Sequence, residues 1–263
     1  MSSVSTTGVA VMLDVSSQPW VAPAPCLPSP SMPSPSLPSP SMSEFVAPMA
    51  RPERQDLESL LQHLPLQRRQ LKPRQYLFRA GQPRHSLFLI HAGFFKASVN
   101  SADGREKITG FRMRGDLLGI DALDMDTYAC DAIALDVCEV WELPVALLRE
   151  RLPEFQERLT SLLASEIRRD WGWMLALGTL SAEQRVIAFL LDFAARLERL
   201  GFSPRSLMLH MTRAELGNFL SLQLETVTRA LSRLQAKGLI AVDRREIRIE
   251  DAAGLQAMMS GTH

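Results

Sequence analysis

The sequence predicts an α+β chain in which an antiparallel barrel or sandwich of short strands is followed by one long helix and then by a helix-turn-helix with a small hairpin behind it. Three observations carry that expectation. Between Asp56 and Leu148, apolar runs of a few residues are broken by Gly and Asp turns. Beyond Pro144, apolar residues recur at three- and four-residue steps, the period of a helix with one buried face. Near Met211, two short helical patterns meet at a turn and lead into two strand-like runs.

Composition leaves room for such a chain. Of the 263 residues 46% are hydrophobic, enough for the cores of one or two domains. Basic and acidic residues balance at 29 each, so whole-molecule charge offers no attraction to nucleic acid. No apolar run approaches the ~18 residues of a membrane span. The N-terminus lacks the basic start and apolar stretch of a secretory signal, and Cys26, Cys130 and Cys138 form no CxxC pair. A reducing cytoplasm is the expected location, with no membrane partner.

Residues 1–52 stand apart. Eleven of the 17 prolines lie between Pro19 and Pro52, and Leu27–Ser41 is three tandem copies of [Leu/Met]-Pro-Ser-Pro-Ser. Proline fixes φ and removes amide donors, so a disordered, extended tail is expected, or else a docking site for a proline-recognising partner.

Residues 53–148 form the strand region. Its runs are Tyr76–Phe78, Leu87–Ile90, Phe94–Val99, Lys107–Phe111 and Ala132–Trp141, with turns at Gly81, Gly93, Asp103-Gly104 and Gly115-Asp116. Residues 149–178 form the long helix, whose stripe is Leu152, Leu159, Leu163, Ile167, Met174 and Leu177. A helix of that length has too little of its own domain to cover its stripe, so pairing with the same helix of a second chain is expected. Asp170 interrupts that stripe. A further helix should run from about Ser181 to Leu200, closed by Gly201.

The last region, 179–263, carries the clearest motif. Thr212 with Glu215 three residues on is a capping box, and Gly217 supplies the small residue where two helices cross closely. A turn at Ser221 follows, between Leu220 and Leu222. A second helix should bury Leu224, Val227, Leu231 and Leu234 and end at Lys237-Gly238. Its other face presents Gln223, Glu225, Thr226, Thr228, Arg229 and Arg233, the donors, acceptors and methyl groups that read base edges in a major groove. Charge is local here: from Arg205 to Ile249 eight Arg and Lys face four acids, a surplus of four for phosphate neutralisation. Leu239–Val242 and Ile247–Ile249 flank the turn Asp243–Glu246, a wing that places Arg244 and Arg245 near the DNA backbone.

Phe78-Arg-Ala-Gly-Gln, Ile108-Thr-Gly-Phe, Gly115-Asp-Leu-Leu-Gly-Ile-Asp-Ala-Leu, Gly201-Phe-Ser-Pro-Arg and Met211-Thr-Arg…Glu225-Thr-Val-Thr-Arg229 follow one another in order. Through them the sequence resembles the CRP/FNR superfamily of bacterial regulators, specifically its FNR-like branch, from near Asp56 to near Met258. The resemblance implies a β-roll sensor domain of the cyclic-nucleotide-binding kind, a dimerisation helix (Leu159, Leu163, Ile167, Asp170, Met174) and a winged helix-turn-helix. It implies a homodimer on double-stranded promoter DNA with a two-fold TTGAT-N4-ATCAA-like site, controlling anaerobic, redox or nitrogen-oxide genes. Glu225, Thr228 and Arg229 match the recognition triplet Glu-x-x-Ser-Arg, Thr212 and Arg213 match phosphate-contacting positions, and Gly201–Arg205 matches a stretch placed near RNA polymerase. Two departures stand out: Thr228 replaces serine, and Ser221 replaces the usual turn glycine.

The sensor departs further. An iron–sulfur cluster of the FNR type takes four cysteine thiolates, and this chain has three cysteines, scattered. Relatives that bind cAMP place an Arg for the cyclic phosphate about ten residues after Gly-Glu-Leu. Here the stretch from Asp116 to Arg149 holds eight acids, Asp116 included, and no Arg or Lys before Arg149. Asp121, Asp124 and Asp126 within that run read as solvated loop carboxylates rather than a cation site. Haem is the remaining cofactor candidate, although His85 and His91 flank turns and read as surface residues. Cys130 and Cys138 read as core residues, with a thiol-based redox sensor as the alternative. No nucleophile elbow, metal-binding His pair or phosphate-binding glycine loop points to an enzyme. A roll-type interaction module that no longer binds DNA is the rival of another class.

Overall fold

The computed structural model describes Leu61, residues 66–147 and residues 153–260. The proline-serine tail expected over 1–52, Cys26 and Leu152 lie outside the described residues.

The strand region is two four-stranded antiparallel sheets. One has the order β1 (Gln67–Leu71), β8 (Cys138–Pro144), β3 (Ser86–Ala92), β6 (Leu117–Leu118). The other has the order β2 (Tyr76–Phe78), β7 (Asp131–Ala134), β4 (Phe94–Asn100), β5 (Glu106–Met113). Their facing sides bury Phe88, Ile90 and Val140 from the first sheet against Phe78, Phe95 and Ala132 from the second. Strand β3 is apolar on both sides because both are covered: Leu87 and Leu89 point away from this core into a second cluster with Trp141 and Leu143. Between β3 and β4, Gly93 has a φ of 90°, and a Cβ there would stand 2.5 Å from Cys138 Sγ. No side chain fits that turn.

Two strand expectations are corrected. Ala132–Trp141 is two strands, β7 and β8, parted by the turn at Leu135–Val137, because the two belong to different sheets. Strand β1 was not anticipated: Gln67 to Gln70 are exposed and only Leu71 is buried. It is a sheet edge, where charged side chains block further pairing.

Helix α1 (Pro153–Thr179) is the long helix, and helix α2 (Ala182–Arg199) follows after the Ser181 and Gln184 capping box. The C-terminal region adds β9 (Ser206–Met208), α3 (Arg213–Leu220), α4 (Leu224–Ala236), β10 (Ile240–Asp243), β11 (Glu246–Ile249) and α5 (Ala252–Met259). Strands β10, β11 and β9 form a three-stranded antiparallel sheet. The core of this region gathers Ile187, Leu190 and Phe193 of α2, Leu216 and Phe219 of α3, Leu231 and Leu234 of α4, and Ile247 of β11.

That core also takes in Ile108, Phe111 and Met113 of β5. On a regular strand Ile108 and Phe111 would face opposite sides. The pairing of β4 with β5 slips between Ala97 and Ser98, which leaves Thr109 unpaired. This bulge turns Ile108 to the same side as Phe111 and Met113. The outer face of one roll sheet and the C-terminal helices therefore share a single core.

Candidate nucleic-acid interface

Helix α3 begins where its sequence says it should. Thr212 Oγ1 accepts from the Glu215 amide at 3.1 Å, and the Glu215 carboxylate accepts from the Thr212 amide at 2.8 Å. Burial would raise the Glu215 carboxyl, but the Thr212 backbone and side chain and the Lys96 ammonium together hold it below the usual range. The helix ends at Ser221, which adopts the left-handed conformation with φ 55°. A turn glycine would sit there without strain; serine bears a cost of about 1 kcal/mol. Gly217 is indispensable to the turn, since a Cβ would lie 2.6 Å from the Leu222 carbonyl oxygen.

Helix α4 then starts two residues beyond Leu222. Val227, Ala230, Leu231 and Leu234 are buried, so the helix can present only its opposite face. On that face Gln223, Glu225, Arg229 and Arg233 are exposed, and Thr226 and Thr228 are half-buried. Arg229 Nε lies 3.4 Å from the Glu225 carbonyl oxygen, so its side chain folds back over the first turn of the helix. Arg213, from the start of α3, comes within 3.5 Å of Thr228 Oγ1. Thr212, Arg213, Gln223, Glu225, Thr226, Thr228 and Arg229 are thus held on two adjoining helix starts. Arg233 is less committed to this face, because its guanidinium also reaches Glu183 of α2 at 3.9 Å.

Leu224 corrects the expectation of burial: it is 44% exposed. As the first residue of α4 it precedes the turn at which the helix meets the core. The wing is in place, with Asp243 paired to Glu246 across Arg244 and Arg245. Both arginines border a groove with Thr212 and Arg213, floored by Leu209, Leu231 and Ile247.

The residues expected at a dimer seam split into two groups. Leu159 and Leu163 pack onto the cluster of Leu87, Leu89 and Trp141. Ile167 and Met174 are 48% and 69% exposed at the border of a cavity beside α1, and Trp171, which the sequence did not single out, is 62% exposed beside them. Asp170 stands between Ile167 and Met174. Burial in its surroundings raises its carboxyl above the usual range; Glu166 adds to this, while Arg112 and Arg169 oppose it.

Beside α1 the roll encloses a half-open cavity of about 520 Å³, lined among others by Arg112, Cys130, Glu166, Asp170 and Phe219. Arg112 is not available to a ligand anion: its guanidinium meets Glu166 at 2.6 Å. Burial disfavours that cation, but Glu166, Asp116 and Asp170 around it raise its pKa. Burial also pushes the Cys130 thiol up, away from thiolate. The Cys138 thiol donates toward the carbonyl oxygens of Phe94 and Asp136, both at 3.2 Å. His91 stacks on Trp141 with ring centres 4.9 Å apart, and His210 on Phe94 at 3.9 Å. Sequence reasoning did not find Arg112, Lys96 or Lys107, which act across more than fifty residues of chain.

Comparison with known proteins agrees with this geometry. The model of the Crp-like helix-turn-helix domain matches residues 184–258, and that of the cyclic nucleotide-binding domain matches residues 68–153. The chain is 36% identical over 221 residues to a transcriptional activator protein, anr, of Pseudomonas aeruginosa, covering 82% of this chain and 91% of the relative. It is 37% identical over 191 residues to the fumarate and nitrate reduction regulatory protein of Salmonella typhimurium, covering 72% and 76% respectively. The solved structure of FixK2 from Bradyrhizobium japonicum superposes with a TM-score of 0.68 at 25% identity, covering 73% of this chain and 96% of that one.

Proposed function

This chain belongs to the CRP/FNR family of DNA-binding transcription regulators, and we propose that it works as a homodimer whose two α4 helices read a two-fold promoter site of the TTGAT-N4-ATCAA kind. The observation that carries this reading is the exposed row of Gln223, Glu225 and Arg229 on a helix whose other side is sealed into the core. Arg229 can bond guanine O6 and N7 together, and Glu225 can accept from cytosine N4, so the pair reads one G·C position. The Thr228 methyl packs on thymine. Thr212 and Arg213 hold phosphate at the start of α3, and Arg244 and Arg245 extend that contact from the wing.

Dimerisation is supported by the exposed stripe Ile167, Trp171 and Met174, which the described residues leave largely uncovered. The exposed Phe202 in Gly201–Arg205 supports contact with RNA polymerase. We place the protein in the cytoplasm as a regulator without catalytic activity. No helix among the described residues is long and apolar enough to cross a membrane. The relatives' names support anaerobic or redox genes as its targets.

The family's own ligands fit this sensor poorly. A cyclic phosphate would meet Arg112 already neutralised by Glu166, with the Asp121 and Asp170 carboxylates around it. A cluster of the FNR type would find two buried thiols in the roll, one of them hydrogen-bonded to carbonyls. Haem finds no histidine among the described residues of the cavity wall.

The test is an anisotropy titration on the palindrome. Arg229→Ala should lose about 1–3 kcal/mol on this site and relax preference at the G·C pair. Arg213→Ala should weaken all duplexes alike and flatten the salt dependence. Wild-type affinity in Arg229→Ala would remove the assignment.

A further inference from the structure

The turn that precedes α4 does not stand free. At the end of helix α3 the Ser221 and Leu222 amides reach the Asn218 and Gly217 carbonyls, at 3.3 and 2.8 Å, and the last carbonyls still look beyond the helix for donors. Arg185 donates to the Leu220 carbonyl at 3.2 Å. The others are met from the roll: Lys107 Nζ of β5 donates to the carbonyl oxygens of Asn218 at 2.6 Å and Phe219 at 3.0 Å, and to Ser221 Oγ at 2.8 Å. An ammonium has three donors, and all three are used. A cation at a helix C-terminus also faces the negative end of the helix dipole.

Asn218 answers in the other direction. Its Oδ1 accepts from the Ile108 amide at 2.7 Å and its Nδ2 donates to the Glu106 carbonyl at 2.8 Å. Strand β5 is the edge of its sheet, so Asn218 takes up backbone groups that no neighbouring strand reaches. Lys96 of β4 adds an ion pair to Glu215 at 3.2 Å. Beneath these bonds Phe111 meets Phe219 edge-on, with ring centres 5.4 Å apart.

The same strand reaches the other way. Five residues along β5 from Lys107, Arg112 holds Glu166 of α1 at 2.6 Å. One strand therefore ties the seam helix to the turn that starts the reading helix. The reading face is exposed while this clasp is closed, so the clasp holds a form that can bind DNA.

We propose that β5 is the strut that sets each recognition helix at its working distance from the dimer axis, with Lys107 and Asn218 as positioning residues for DNA reading. Two half-sites about one helical turn apart can be held together only if both α4 helices are pre-set to that spacing. Linked binding then gains from a high effective concentration, which a loose joint forfeits. This rests on the dimeric reading above.

The experiment compares the full chain with Lys107→Met, Lys107→Arg and Asn218→Leu on two duplexes, the palindrome and a single half-site. Lys107→Met and Asn218→Leu should bind the palindrome about tenfold more weakly and the half-site unchanged. Lys107→Arg, which keeps a cation with several donors, should restore most of the loss. Unchanged palindrome binding would overturn the strut. So would equal losses on both duplexes, which would mean a damaged reading head, and so would tighter binding on both, which would make the clasp a restraint. A wild-type chain that does not prefer the palindrome would overturn the dimeric reading instead. Amide exchange then judges the clasp: about tenfold faster exchange at Phe219–Leu222 in Lys107→Met supports it, and unchanged exchange overturns it.

Discussion

Helices α4 and α1 both carry an apolar stripe at helical spacing, but among the described residues α4 finds cover for its stripe from Val227 onward while α1 leaves part of its stripe exposed. Val227, Leu231 and Leu234 of α4 vanish into the core shared with α2, α3 and β5. Helix α1 covers one flank in this way, with Leu159 and Leu163 against the roll, and leaves Ile167, Trp171 and Met174 exposed. The difference teaches what a periodic pattern means. It states which side of a helix must leave water, while the geometry of the rest of the chain decides whether that cover is internal. Where it is not, the stripe is an instruction for assembly.

The contrast predicts that equivalent truncations act on different equilibria. Leu234→Ala opens a cavity in a sealed core and should lower unfolding free energy by about 2–5 kcal/mol, read from a denaturant titration. Trp171→Ala removes an exposed ring, so the fold of the dilute monomer should change by less than about 0.5 kcal/mol. Its effect should appear in sedimentation, as a dimer weakened by about 1.5–3 kcal/mol for each ring buried at the seam. A Trp171→Ala chain with an unchanged dimer constant would break the comparison.

Asp170 sharpens it further. Its carboxyl is raised above the ordinary range mainly by burial, so the ionised form is the disfavoured one. Bringing two such groups together across a seam raises them again. An acid with a raised pKa in the associated state binds more protons there than when free, so association strengthens as pH falls. The dimer should therefore tighten between neutral and mildly acidic buffer. Asp170→Ala should tighten it at neutral pH by about 1 kcal/mol and remove that pH dependence. Arg112 and Arg169 relieve that charge only in part, since Arg112 is held by Glu166 at 2.6 Å and Arg169 is turned toward Asp192 at 3.6 Å and Glu166 at 4.0 Å. Equal dimer constants for both proteins at both pH values would make Asp170 a bystander.

Much of this was legible in the sequence because local chemistry specified it. The Thr212 and Glu215 box, the tight turn at Gly217 and the left-handed Gly238 after α4 each follow from two or three neighbouring residues. What was not legible depends on distant partners. Nothing in Gln67–Leu71 marks a strand, since only Leu71 is buried and its partner β8 lies about seventy residues on. Leu224 reads as a core position by spacing, yet the helix reaches the core only one turn later. The bulge at Thr109 reverses which side Ile108 faces, and no local residue announces it. Lys107 reads as a surface lysine until Asn218, 111 residues away, is brought against it.

The central claim is that two recognition helices, fixed by paired α1 helices and their β5 struts, engage two half-sites at once. An anisotropy titration against the palindrome and against the same duplex lengthened at its centre by about five base pairs, half a helical turn, tests it most directly. The insertion leaves every base contact available but places the half-sites on opposite faces of the DNA. Affinity for the lengthened duplex should drop by at least about tenfold, to that of a single half-site. Equal affinity for the two duplexes would contradict the account.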